Sequence, residues 1–153
     1  SAAAAAYLTS GFWGAMTAGR LLSIPLAIRF PPRTVLLADL LLLLASLGLI
    51  LAFPASITIL WIGTLGVGLG MASIFPTMLA IAEKHMTITG LVTSWFFVGS
   101  SLGGMVLPWI VGQLFEPVGP RVVVIAITIN VILDLLIYFA MMAYTGKIRQ
   151  DRR

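Results

Sequence analysis

The chain has 153 residues, of which 60% are hydrophobic and 9% charged, with a net charge of +4. Soluble domains carry about 25% charged residues, so this composition excludes them and reads as an all-α integral membrane protein with the lipid bilayer as its partner. The absence of cysteine and the single histidine, His85, exclude disulfides and a cysteine or multi-histidine metal centre. The basic residues sit between apolar runs and near the C-terminus, which fits an anionic membrane surface and argues against nucleic acid.

Crossing about 30 Å of hydrocarbon takes about 20 helical residues. Five apolar runs reach that length: Tyr7–Ile28, Thr34–Phe53, Ile57–Ala82, Leu91–Phe115 and Val122–Tyr144. No basic segment precedes the first run, so no signal peptide is expected, and the start reads as the edge of a longer chain. The first run carries Ser10, Trp13, Thr17 and Arg20 at spacings that keep them on one helix face. An arginine at membrane depth costs about 2.5–3.5 kcal/mol on insertion scales, so it should face a bundle interior or a wet cavity. It either lines a solute cavity or locks two helices together.

Pro31 and Pro32 end the first run. Asp39 lies near the start of the second, at a depth that lets it pair with Arg20 if the two runs form a hairpin; we expect that pair. Pro54 opens the next turn. The third run carries small residues at Gly63, Gly66, Gly70, Ser73 and Thr77, a pattern that lets neighbouring backbones approach closely. Its Trp61 reads as an anchor at the membrane interface, and Pro76 predicts a kink. The fourth run repeats the small-residue theme at Gly99, Gly103, Gly104 and Gly112, for which helix packing is again the expectation, with a second kink at Pro108. It also carries Ser94 and Trp95. Tryptophans 13 and 95 can stack on a sugar ring or pack in lipid. The fifth run places Asp134 near its middle, with Asn130 one turn earlier on the same face. That carboxylate can serve as proton relay, cation ligand or hydroxyl acceptor, or it can make a helix–helix hydrogen bond.

The loops after runs one and three, with the basic tail at 146–153, hold Arg29, Arg33, Lys84, Lys147, Arg149, Arg152 and Arg153; the opposite side holds Arg121 alone. The bias predicts a cytoplasmic C-terminus. An odd count of five is what a six-helix half would show without its first helix. Gly99-Ser100-Ser101-Leu102 fits a loose intramembrane protease pattern, but His85 lies in a loop away from Ser101 and cannot act as its base. No phosphate-binding loop, carboxylate pair or metal cluster is apparent, so no enzyme and no cofactor are expected. A non-transporting scaffold or receptor-like protein stays open at this point; a channel would need a continuous polar stripe, and only the first run has one.

These residues resemble the C-terminal half of the major facilitator superfamily. Thr17-Ala18-Gly19-Arg20-Leu21 is similar to its eighth helix. Leu26 to Arg33 resembles its cytoplasmic-loop signature, with Arg29 and Arg33 at the basic positions but Ile28 at the acidic one and Pro31 at the glycine. Gly70-Met71-Ala72-Ser73-Ile74-Phe75-Pro76-Thr77 resembles the tenth helix of the fucose-permease-like branch, and Gly99 to Gly112 the eleventh. Within that branch the likeness is to the sodium-dependent glucose transporter group, also called major facilitator superfamily domain-containing protein 4. The resemblance implies helices eight to twelve of a twelve-helix carrier whose N-terminal half is missing here. It implies alternating access for a sugar-like solute coupled to Na+ or H+, with the plasma membrane favoured. It favours Trp13, Thr17, Arg20, Ser73, Thr77 and Ser94 as cavity lining, and disfavours Asp134, which falls on the peripheral twelfth helix.

Overall fold

The computed structural model describes residues 2–84 and 86–151, with side chains for 3–84 and 86–144. His85, Arg152 and Arg153 lie outside the described residues, as do the side chains of Lys147 and Arg149. The order is α1 (Ala2–Arg29), α2 (Pro32–Ala52), α3 (Ile57–Met71), α4 (Ile74–Glu83), α5 (Gly90–Val118) and α6 (Arg121–Asp151).

Local chemistry sets the ends. Pro31 is extended and Pro32 opens α2, where a missing N–H costs nothing. The Ser56 side chain caps α3 by accepting from the Ile59 N–H at 3.3 Å, and Thr89 caps α5 by accepting from Val92 N–H at 3.3 Å. Gly119 closes α5 with φ of 86°, a conformation open to glycine and costly for other residues.

The third apolar run folds as one rod with a break between α3 and α4. The break comes at Ala72–Ser73, one turn before Pro76. Proline at position i removes the bond to the carbonyl four residues earlier and crowds it, and for Pro76 that carbonyl belongs to Ala72. The Ala72 N–H instead closes a tighter turn onto the Leu69 carbonyl at 3.2 Å. Pro108, by contrast, sits inside an uninterrupted α5.

Four of these rods are long and apolar enough to cross a membrane: Pro32–Ala52, Ile57–Glu83, Gly90–Val118 and Arg121–Tyr144. The first, α1, has 28 residues, about 42 Å at 1.5 Å per residue, but is less apolar.

The core centres on α2. Leu36, Leu40, Leu43 and Leu47 recur at spacings of four, three and four and face Val67, Ile81, Val131, Leu135 and Tyr138. Thus α2 packs extensively on α3, α4 and α6, whereas α1 packs on α3 and barely touches α2. Glycines permit the closest approaches. A Cβ on Gly68 would stand 2.6 Å from the Phe12 carbonyl oxygen of α1, and one on Gly70 would stand 3.0 Å from the Asp39 carbonyl oxygen of α2. Trp61 lies across Gly11 of α1, so it packs inside the bundle whatever its depth. The small-residue stripe of α5 behaves differently. Gly99, Gly103, Gly104 and Gly112 have nothing within 4 Å of an added Cβ, and α5 buries no residue, so the packing expected of that stripe is not made within the described bundle.

Candidate functional site

Hydroxyls on an intramembrane helix have a local way to satisfy themselves, by donating to the carbonyl one turn back. Thr17 donates to the Trp13 carbonyl at 2.9 Å, Ser10 to that of Ala6 at 3.0 Å, and Ser94 to that of Gly90 at 2.8 Å. Ser23 donates to the Arg20 carbonyl at 2.7 Å. Their lone pairs stay free for a ligand.

Ser73 is placed differently. At the head of α4 its own turn is broken and the Leu69 carbonyl is taken. Its hydroxyl donates instead to the Asp39 carboxylate on α2. Ser73 is 5% exposed and Asp39 half-buried, so this is a partly buried polar link between two helices.

The link corrects the expected Arg20–Asp39 pair. That expectation assumed that α1 and α2, consecutive and joined by a short turn, pack as a hairpin. In the structure α1 leans on α3. A Cβ on Gly19, next to Arg20, would stand 2.6 Å from that of Ala72. Arg20 itself is exposed.

Beside the break lies a cavity of about 100 Å³ lined by Ser23 and Ala27 of α1, Pro32 and Val35 of α2, and Ser73, Pro76, Thr77 and Ala80. Two predicted residues, Ser73 and Thr77, therefore share it. Trp13, at 58% exposure, Thr17 and Arg20 lie on the open face of α1, and Ser94 and Trp95, at 68%, on the open face of α5. The structure does not gather these two sets into one enclosed pocket. Ser23 was missed by the sequence reading, although it extends the α1 stripe by one more step of three residues.

A second cavity of about 100 Å³ lies behind α4, with Asp134 and Tyr138 of α6 among otherwise apolar neighbours Leu36, Leu40, Ile74, Met78, Ile137 and Met141. Asn130 does not reach it and is half-buried elsewhere on α6. Tyr138 donates to the Arg33 carbonyl at 3.2 Å and ties α6 to the head of α2.

The family model of the Major Facilitator Superfamily matches residues 1–152. The chain belongs to the major facilitator superfamily. It is thus an integral multi-pass membrane protein from a family of transporters, with lipid around its helices and a small-molecule solute as the family's cargo. It is 37% identical over 115 residues to Major facilitator superfamily domain-containing protein 4A of Homo sapiens, a match covering 75% of this chain and 22% of that protein. It is 39% identical over 110 residues to Sodium-dependent glucose transporter 1 of Danio rerio, covering 72% and 18%. Sodium-dependent glucose transporter 1A of Mus musculus is 36% identical over 110 residues, covering 72% and 26%. The chain spans about a quarter or less of the length of these superfamily relatives. No solved structure matches it.

Proposed function

We propose that this chain is the C-terminal part of a secondary transporter that moves a glucose-like sugar by alternating access, coupled to Na+ or H+. The observation that carries the reading is the small cavity at the α3–α4 break, walled by the hydroxyls of Ser23, Ser73 and Thr77 in an otherwise apolar bundle. Sugars are recognised by hydrogen bonds to many hydroxyls and by stacking on aromatic faces. The free lone pairs of Thr17 and Ser94 and the open rings of Trp13 and Trp95 fit that need on the two helices that flank the break. The names of the glucose-transporter relatives support the substrate class and the sodium.

In this reading, α1, α2, the α3–α4 rod, α5 and α6 are five spans, equivalent to helices eight to twelve, with spans near 7–28, 34–53, 57–82, 91–115 and 122–144. The C-terminal tail is cytoplasmic and the membrane is the plasma membrane. The rest of the carrier supplies the opposite cavity wall, against the open faces of α1 and α5.

Uptake of labelled glucose into vesicles holding the full-length carrier tests the reading. Uptake should require an imposed Na+ or proton gradient and should fall at least about tenfold in Arg20→Ala at equal expression, the loss expected for one charged contact. Failure to accumulate any hexose under either gradient would rule the sugar out.

A further inference from the structure

Among the described side chains, Asp39 has no counter-charge in contact with it. Asp39 is the eighth residue of α2, about 10 Å along its axis. At such a depth a carboxylate is tolerated when it is paired, protonated or holding a cation. Its partner is the Ser73 hydroxyl, which is neutral. Among the described side chains, the ionisable groups on the elements around α2 lie elsewhere. Arg20 of α1 is exposed; Glu83 and Lys84 stand at the far end of α4, ten residues or more from Ser73; Arg121 is at the other end of α6. Asp134 lines the separate cavity, Tyr138 is engaged with a backbone carbonyl, and Arg33 lies six residues earlier on α2 itself.

The second ingredient is the break. Pro76 has no N–H, so the Ala72 carbonyl lacks its helical donor. That bare carbonyl belongs to the residue before Ser73. Gly70 brings this stretch of backbone against α2 at Asp39 itself, and Thr77 stands one turn on, 9% exposed and lining the cavity. A carboxylate in contact with a hydroxyl, next in sequence to an unwound carbonyl, offers oxygen ligands of the kind by which interrupted helices take up small monovalent cations.

We propose that Asp39 and Ser73 form a cation site that takes H+ or Na+. Its occupant neutralises Asp39, and because Ser73 lies in the break and caps α4, occupancy sets the position of α4 and of the cavity wall it carries. The site stands on this geometry; its role as the coupling site rests on the transport reading above.

The test is the thermal stability of the purified full-length carrier, which does not depend on knowing the solute. Stability is compared in NaCl and choline chloride at equal ionic strength, and in acidic and neutral buffer, for the wild type, Asp39→Asn and Asp134→Asn. Stabilisation by Na+ that Asp39→Asn loses and Asp134→Asn keeps assigns the site to sodium. A pH dependence with the same pattern assigns it to the proton. A wild type indifferent to both overturns the proposal, and so does an Asp39→Asn variant that responds as the wild type does, whatever its basal stability. Should Asp39→Asn not fold, Ser73→Ala decides. Loss of one hydroxyl ligand should weaken the Na+ response about tenfold, or move the pH midpoint by about one unit; an unchanged response overturns the proposal. Absence of sugar uptake by the wild type would remove the sugar and leave these outcomes readable.

Discussion

The α3 rod and α5 carry the same kind of sequence and meet opposite fates. Both are apolar, both contain a glycine stripe, and both contain an internal proline. In α3 the glycines lie against α1 on one side and α2 on the other, close enough that an added Cβ meets backbone atoms. In α5 they face open space and no residue is buried. A glycine stripe therefore states that a helix can be approached, not by what. In α3 the partner is within the described bundle; in the transport reading, the partner of α5 is the rest of the carrier.

The comparison can be broken by mutation. The largest effect should come from the α2 seam that holds α3: Leu47→Ala should cost about 2–5 kcal/mol by leaving a cavity. Leu41→Ala on the exposed side of the same helix should stay within about 0.5 kcal/mol. Unfolding of the purified protein in detergent measures both. Next, Gly68→Ala should cost about 1–3 kcal/mol by overpacking, since its new Cβ would press on the Phe12 carbonyl. Gly103→Ala, the matching change in α5, should cost no more than about 0.5 kcal/mol if its face stays open. A large loss there would show that α5 is covered as tightly as α3 in the whole protein. The smallest stability effect should come from Trp95→Ala, again within about 0.5 kcal/mol because the ring is exposed, but labelled-sugar uptake should fall if the open face of α5 lines the path. A Trp95→Ala carrier with normal uptake would move the path away from α5.

Some of this was legible in the sequence and some was not, for specific reasons. The breaks at Pro31–Pro32 and at Pro54 were readable because these prolines punctuate runs that are otherwise apolar, whereas α1 begins earlier and α6 runs on further than the apolar runs suggested. The position of Asp39 near the start of its helix was readable as well, by counting residues. Its partner was not. Arg20 matched it in depth and charge, but depth along an axis says nothing about which helix stands beside which, and α3 displaced α1 from α2. The break in the third rod was expected at Pro76 and came a turn earlier, because a proline's conflict is with the carbonyl four residues before it.

The second helix divides the two kinds of information most clearly. Its leucines run so nearly unbroken from Leu40 to Leu44 that no face stands out, and composition alone fixed it as a membrane helix because hydrocarbon rewards every one of them equally. By itself, then, the sequence determined that this protein is a set of apolar helices and which polar groups each must accommodate. Only tertiary structure decided that Leu36, Leu40, Leu43 and Leu47 face inward and that Asp39 meets Ser73. The reason is physical: in lipid the hydrophobic effect does not select a face, so pairing is set by close packing at glycines and by the few polar groups that need one another.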